Sequence, residues 1–115
     1  MKIQRIEPGK RMSQAVVHGN TVYLAGQVGN PGDDAAAQTT TALAEIERLL
    51  AQAGSNKSRI LSATVWLADI ADFDAMNGVW EAWVDRNNPP TRATGEVKLA
   101  SPDYVVEIVV IAACN

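Results

Sequence analysis

Apolar and polar positions along the chain alternate with two different periods, and the shorter period predicts strands. Residues 2–7 form a candidate short strand, both flanks of Gly19-Asn20 are rich in strand formers, and strand formers alternate along residues 60–69. Gly19 and Asn20 are turn formers at the spacing of a tight hairpin. We therefore expect a first strand, a β-hairpin around Gly19-Asn20 and a strand that begins near residue 60.

The longer period predicts two helices. The first covers residues 33–53, where acidic residues stand at the start and Gly54 follows the end. The second covers residues 72–86, until two asparagines and two prolines end it. The expected buried positions of the first helix recur at intervals of three or four: Ala36, Thr40, Leu43, Ile46, Leu50 and Ala53.

The two periods together predict an α+β fold with the order β-β-β-α-β-α-β-β. We expect a single domain over residues 1–115, in which two helices cover one face of a mixed sheet. The strands look apolar on both faces, and the chain has no further element to cover the second face. Other copies of the chain are the expected cover.

Composition narrows the class of protein. The chain has 115 residues, of which 47% are hydrophobic, enough for a core. Its net charge is -3 and its basic residues are scattered, so nucleic acid is not an expected partner. No apolar run approaches the roughly 18 residues that span a bilayer. One histidine and one cysteine allow no disulfide and no metal site, so we expect a cytoplasmic protein without cofactor or membrane partner.

Glu107 and Arg92 are the polar residues in unusual places. Glu107 interrupts the run YVVEIVVIAA, on the alternate set with Val105, Val109 and Ile111. It is either an acid or base, or a structural residue paired with a cation. Arg92 follows two prolines and a threonine at the start of a strand. It is either a fork for a substrate carboxylate or a solvated surface arginine.

Gly26-Gln27 is a third candidate, because it ends a predicted strand at a loop. Bare backbone N–H groups there could approach a ligand, although a glycine at a strand end is more often an ordinary turn.

Four segments together resemble the RidA family of reactive intermediate deaminases, also called the YjgF family. They are SQAVVHGNTVYLAGQV, AQTTTALAEIERLLAQAG, ATVWLADIADFDAMNGVWEAWV and TRATGEVKLASPDYVVEIVVIAA, and they span the chain from about residue 13 to residue 113. The resemblance implies a chorismate-mutase-like α+β subunit that forms a homotrimer with pockets at the subunit interfaces. Family members that carry the pocket arginine hydrolyse enamines and imines, typically 2-aminoacrylate, to the keto acid and ammonia.

The resemblance also implies the roles of particular residues. Arg92 matches the pocket arginine, since the family pattern Arg-x-x-x-Glu-Val recurs at residues 92–97, and Glu107 matches the glutamate of the closing strand. Both are candidate catalytic residues. The candidate substrate-binding residues are Gly26, Gln27, Asn77, Thr94 and Met12. Many deaminase members have tyrosine where Met12 stands and cysteine where Thr94 stands, and a serine is common at the position of Ala25.

The hypothesis that follows is hydrolysis of 2-imino acids, with the substrate carboxylate bound by Arg92 and water and proton handled by Glu107. A non-catalytic trimer that binds a small carboxylate is the alternative, and Met12 and Thr94 favour it. An endoribonuclease or translation inhibitor, an activity also attributed to parts of the family, is a third reading. The acidic balance of the chain counts against it.

Overall fold

The fold is built from seven strands and two α-helices, and the computed structural model describes all residues from 1 to 115. Two short 3₁₀ turns lie at Lys57–Arg59 and Ile70–Asp72. The helices are α1 (Ala35–Gln52) and α2 (Phe73–Trp83). The strands are β1 (Ile3–Pro8), β2 (Ser13–His18), β3 (Thr21–Leu24), β4 (Gln27–Val28), β5 (Ile60–Leu67), β6 (Thr91–Glu96) and β7 (Val106–Ala113).

All strands belong to one mixed sheet with the order β1-β2-β3-β7-β5-β6, and short β4 pairs with β7. Only β5 and β6 run parallel, as expected for strands joined by a helical crossover through α2. The predicted α+β class and the hairpin at Gly19-Asn20 are confirmed. The predicted strand order is incomplete, because β4 adds a fourth strand before α1. Two residues are too few to show a period of two in the sequence.

The helix boundaries follow local capping chemistry. Asp34 caps α1 by accepting a hydrogen bond from the backbone N–H of Ala37, and Gly54 beyond its end has a φ of +74°. The segment after Trp83 is not helical as predicted, because Val84 is extended and the carboxylate of Asp85 accepts from the N–H of Asn87. Neither helix has the length and apolar character needed to cross a membrane.

Both helices lie on the same face of the sheet. On β7 the residues Val106, Ile108, Val110 and Ala112 point toward the helices and are fully buried. The alternate residues, Glu107 among them, are half-buried on the opposite face, as the alternation in the sequence predicts. We call this second face the open face. It also carries Tyr23, Val109 and Ile111, and Tyr23 is 48% exposed.

The buried side of α1 matches the prediction only in part. Leu43, Ile46 and Leu50 are buried, whereas Thr40 is exposed. Gln38 and Thr39 are buried instead. Both are polar, so a hydrophobic pattern does not reveal them.

Candidate functional site

Glu107 lies on the open face between two neighbouring strands. Its register partners are Val28 on β4 and Trp66 on β5. Its side chain lies over Gly26: a Cβ atom on Gly26 would stand 2.0 Å from Oε2 of Glu107. A side chain at this position fits only if the carboxylate of Glu107 moves away. Gly26 has no positive φ, so the role of this glycine is to leave room for the carboxylate and not to form a turn.

Glu107 has no cationic partner in its own chain. The two ion pairs of the chain both involve Arg48, on the outer surface of α1, where it contacts Glu7 and Glu45. Within one chain, the structural interpretation of Glu107 as half of a buried ion pair therefore has no support.

Gln27 holds the loop that contains Gly26. Its side-chain nitrogen donates to Oε1 of Gln14 at 3.0 Å and to the backbone oxygen of Ala25 at 3.1 Å, and the residue is buried. Met12, which precedes β2 by one residue, is 50% exposed. Since Gln14 is the second residue of β2, the four candidate residues Met12, Gly26, Gln27 and Glu107 lie toward one end of the sheet.

Arg92 lies on β6, an edge strand, opposite the buried residue Ala63 of β5. Its Nη1 donates to Oδ1 of Asn77 at 2.7 Å. Its guanidinium carbon stands 5.6 Å from the ring centre of Phe73 and 5.4 Å from that of Trp80, within the range of cation–π attraction. Arg92 forms no ion pair in the chain. Three residues of α2 thus hold a guanidinium whose charge no carboxylate neutralises.

Thr94 follows Arg92 on the same side of β6, with Val65 as its register partner. Its hydroxyl oxygen is the one buried side-chain polar atom of the chain that has no hydrogen-bond partner. A buried hydroxyl without a partner costs free energy, and such atoms are commonly explained by a functional role or by a bound water or ion.

Arg92 and Glu107 do not meet within one chain. On β5, the partner of Arg92 is Ala63 and the partner of Glu107 is Trp66. These two positions are an odd number of residues apart, so they lie on opposite faces of the sheet. Within one chain, Arg92 is therefore not the cation beside Glu107. One chain presents two half-sites: an arginine half-site with Asn77 and Thr94, and a glutamate half-site with Gly26, whose loop Gln27 supports from the buried side.

The surface concavities of the single chain lie elsewhere. The largest, about 520 Å³, is lined by Glu96, Lys98, Tyr104 and the loop between them. A second, about 460 Å³, lies between the two helices beside Lys57 and Trp83. Neither includes Arg92 or Glu107. The candidate site is consequently not enclosed by one copy of the chain.

The aromatic residues that hold Arg92 were missed as site residues in the sequence. Phe73, Asn77 and Trp80 follow one another at four and three residues along α2, which places them on one side of the helix. That spacing was a usable signal. The sequence, however, is equally consistent with Trp80 as a core residue, and Trp80 is indeed buried.

Comparison with known proteins agrees with the fold and the motifs. Residues 2–114 match the family model described as Endoribonuclease L-PSP. A RutC family protein from Haemophilus influenzae is 49% identical, over 99% of this chain and 100% of its own length. The crystal structure of a YjgF family member from Neisseria meningitidis superposes with a TM-score of 0.97 at 41% identity, covering 100% of this chain and 97% of the other.

A second solved structure, from Mycobacterium tuberculosis, extends the agreement to lower identity. This YjgF family member is 31% identical, has a TM-score of 0.87 and covers 97% of this chain and 99% of its own. The family model matches nearly the whole chain, and the relative and both structures match it over almost their full lengths. The chain therefore belongs to the YjgF/RutC family, the family of RidA that its sequence motifs resemble.

Proposed function

We propose that this protein hydrolyses reactive enamines and 2-imino acids, of which 2-aminoacrylate is the simplest, to 2-keto acids and ammonia. The observation that carries the proposal is the state of Arg92. Its guanidinium is held by Asn77 and by the rings of Phe73 and Trp80, yet it has no anionic partner. A fixed and unpaired guanidinium is a receptor for a carboxylate, and a 2-imino acid has one.

The reaction also requires one acid or base next to the substrate that Arg92 binds. Glu107 takes a proton from water as the water oxygen attacks the carbon of the protonated imine, and this forms a neutral tetrahedral amino alcohol. Glu107 then gives that proton to the nitrogen; as the C–N bond breaks and ammonia leaves, the C=O bond forms and the hydroxyl proton passes to the carboxylate of Glu107 and from there to ammonia. Imines hydrolyse readily in water, so positioning and one proton shuttle are enough. The chemistry requires no metal or organic cofactor.

The geometry of one chain makes a second copy part of this proposal. Arg92 and Glu107 act on one substrate only if the arginine half-site of one copy faces the glutamate half-site of another. The open face, with Tyr23, Val109 and Ile111, is apolar enough to bury against other copies. We propose a homotrimer with three such sites between subunits.

The proposal is tested by generating imines from several amino acids with an amino-acid oxidase and following their capture by semicarbazide. The protein is expected to lower the yield of semicarbazone and to raise the rate of keto-acid formation. An unchanged yield with every imine would refute the deaminase. Heat-denatured protein at the same concentration is the control for non-specific quenching.

A trimer that binds a small carboxylate without turning it over is the second candidate. Met12 and Thr94 favour it, since the first presents no hydroxyl and the second keeps its hydroxyl buried. It is distinguished by saturable binding of a 2-keto acid in the absence of any imine hydrolysis. The third candidate function is an endoribonuclease, which is the description of the family model. The net charge of -3 argues against it, because nucleic acid is itself an anion.

A further inference from the structure

The side-chain amide of Asn77 is held at both ends. Its Oδ1 accepts a hydrogen bond from Nη1 of Arg92 at 2.7 Å, and its Nδ2 donates to Oε1 of Glu81 at 2.8 Å. An amide oxygen only accepts and an amide nitrogen only donates, so the two contacts together determine which way the amide faces. Arg92, Asn77 and Glu81 form a continuous chain of hydrogen bonds that ends on an exposed carboxylate.

Asn77 lies in the middle of α2, where asparagine is unfavourable for helix stability. Asparagine is a weak helix former, because its side chain competes for backbone hydrogen bonds. Departures from local preference of this kind are expected at functional positions. Glu81 follows Asn77 by four residues and so lies one turn further along the same side of the helix. The pair therefore reaches toward β6 from a rigid element.

We infer that Asn77 and Glu81 are positioning residues for Arg92, and that Glu81 acts through Asn77 without touching the substrate. The identity of the ligand rests on the proposed function. The relay, by which we mean the hydrogen-bonded series Arg92, Asn77 and Glu81, rests on the contacts above. The family resemblance implies that Asn77 binds substrate. In the structure, its oxygen is engaged by Arg92 and its nitrogen by Glu81.

The carboxylate of Glu81 is a charged hydrogen-bond acceptor at a fixed position. A water molecule in its place would be neutral and mobile. Without it, the amide of Asn77 is free to turn over and to present its NH₂ group to the guanidinium. Two donors would then face each other, and Arg92 would lose its hydrogen bond. The guanidinium would keep only the support of Phe73 and Trp80, which attract its charge but do not set its rotation.

The first test compares Glu81→Ala with Glu81→Gln in the full-length protein. Two quantities are measured: the rate of imine turnover, and the affinity for 2-oxobutanoate by calorimetry. Glu81→Ala is expected to raise KM and the dissociation constant together by about three- to tenfold, with a smaller fall in kcat, as for loss of one hydrogen bond of ordinary strength at an exposed residue. Glu81→Gln keeps an accepting oxygen and is expected to stay within about twofold of wild type. Glu45→Ala removes a comparable carboxylate from α1 and is expected to change neither quantity.

The second test is a double-mutant cycle of Asn77→Ala and Glu81→Ala. If Glu81 acts only through Asn77, the double variant loses no more affinity than Asn77→Ala alone. Fully additive losses would overturn the inference, as would an unchanged KM and dissociation constant for Glu81→Ala. Circular dichroism and the mass by light scattering confirm that each variant is folded as wild type is.

The two proposals fail in different ways. If the wild-type protein binds 2-oxobutanoate but hydrolyses no imine, the proposed function is wrong. The double-mutant cycle is then evaluated from the dissociation constants alone. If the wild-type protein hydrolyses imines and the cycle is additive, only the relay is wrong. A protein that neither binds the keto acid nor hydrolyses an imine contradicts both.

Discussion

At the scale of single residues, Glu107 and Arg92 depend on neighbours that are distant in sequence. The carboxylate of Glu107 needs the missing side chain of Gly26, 81 positions earlier by residue number. The guanidinium of Arg92 needs the amide of Asn77. Each pair consists of one candidate functional group and one residue that sets its position, so each can be tested by changing the second residue alone.

Gly26→Ala is expected to displace the carboxylate of Glu107 while the fold is retained. The new Cβ would stand 2.0 Å from Oε2, which lies at the flexible end of the glutamate, so the side chain rather than the backbone will move. We expect kcat for imine hydrolysis to fall by about tenfold or more, because a misplaced proton shuttle loses most of its effect. Gly78→Ala is the matched control, since a Cβ there meets no atom within 4 Å. Wild-type kcat in Gly26→Ala would argue against Glu107 as the acid or base.

Arg92→Ala is expected to abolish nearly all catalysed hydrolysis without unfolding the protein. A charged hydrogen-bonded contact contributes roughly 1.5–3 kcal/mol, and loss of orientation adds to that. Arg92→Lys should rescue poorly, because a single ammonium group cannot reproduce the planar fork. Steady-state kinetics with imines of several amino acids measures both. Full activity of Arg92→Ala on every imine would favour the binding-only alternative.

The role of Glu107 separates from that of Arg92 in the variant Glu107→Gln. The glutamine keeps the shape of the side chain but cannot exchange a proton. We expect normal binding of 2-oxobutanoate with slow turnover. Unchanged turnover together with an altered melting temperature would show that Glu107 is structural.

At the scale of elements, Gln38 of α1 ties two loops to the helix. Its Nε2 donates to the backbone oxygens of Asp33 and Asp103, and its Oε1 accepts from the N–H of Val105. The contact is close: a Cβ on Gly29 would meet the backbone of Gln38 at 2.5 Å. The loop before α1 and the loop before β7 are therefore joined through one buried amide.

Gln38→Leu is expected to destabilise the fold strongly for a single substitution. Leucine has a similar volume but removes three hydrogen bonds and leaves the N–H of Val105 without the acceptor it has in wild type, whereas the carbonyl of Asp103 keeps the N–H of Gly32; we expect a cost of about 2–4 kcal/mol. Urea unfolding followed by circular dichroism measures the change. A loss below about 1 kcal/mol would mean that water replaces the amide.

Asp85 links the 3₁₀ turn at Lys57–Arg59 to the end of α2 and makes stability depend on pH. Hydrogen bonds from the hydroxyl of Ser58, from the side chain of Asn88 and from the N–H of Asn87 lower the pKa of Asp85 from 3.8 to about 2. Because the folded-state pKa is below the unfolded one, its stabilisation is complete above about pH 4 and disappears as the pH falls toward 2.

Ser58→Ala is expected to reduce that dependence. The variant should be less stable than wild type at neutral pH, and the difference should shrink as the pH falls from about 4 toward 2, because the carboxyl then becomes protonated. Thermal melts between pH 2 and pH 7 measure it. The pKa of Glu7 is also lowered, by Arg48 and then Gln52, but this group is common to both proteins and cancels. A constant difference across the whole pH range would assign the effect of Ser58 to packing alone.

At the scale of the whole molecule, the open face decides whether a complete site exists. Helices cover only one side of the sheet, and the two half-sites are on opposite sides of it. Assembly and activity are therefore expected to be lost together.

Val109→Asp places a charge in the middle of the open face, beside Glu107 on the same strand. We expect light scattering to give the mass of a trimer for wild type and of a monomer for the variant, with unchanged circular dichroism and without imine hydrolysis. Val79→Asp, which changes a half-buried valine on α2 away from the open face, is the control for the charge itself. A wild-type monomer at micromolar concentration would refute the trimer.

The sequence predicted those features that depend on local pattern. The period of two placed Glu107 on the less buried set of β7, and the period of 3.6 located both helices within three residues at every end. It did not reveal β4, which is too short to show a period, or the buried face of α1 at Gln38, which a hydrophobic pattern excludes. It named Gly26 as a candidate but not the reason, because the contact with Glu107 joins two distant strands.

By itself, then, the sequence determined the class of fold, the family and the identity of the charged candidates, since alternation, capping residues and motif spacing are all properties of short segments. Only the tertiary structure decided which of these residues meet. The pairing of β5 with β6 and with β7 sets the face on which Arg92 and Glu107 lie, and a shift of one residue in either register would reverse that face. Register is determined by packing between segments that are remote in sequence, so the separation of the site into two halves could be found only in the folded chain.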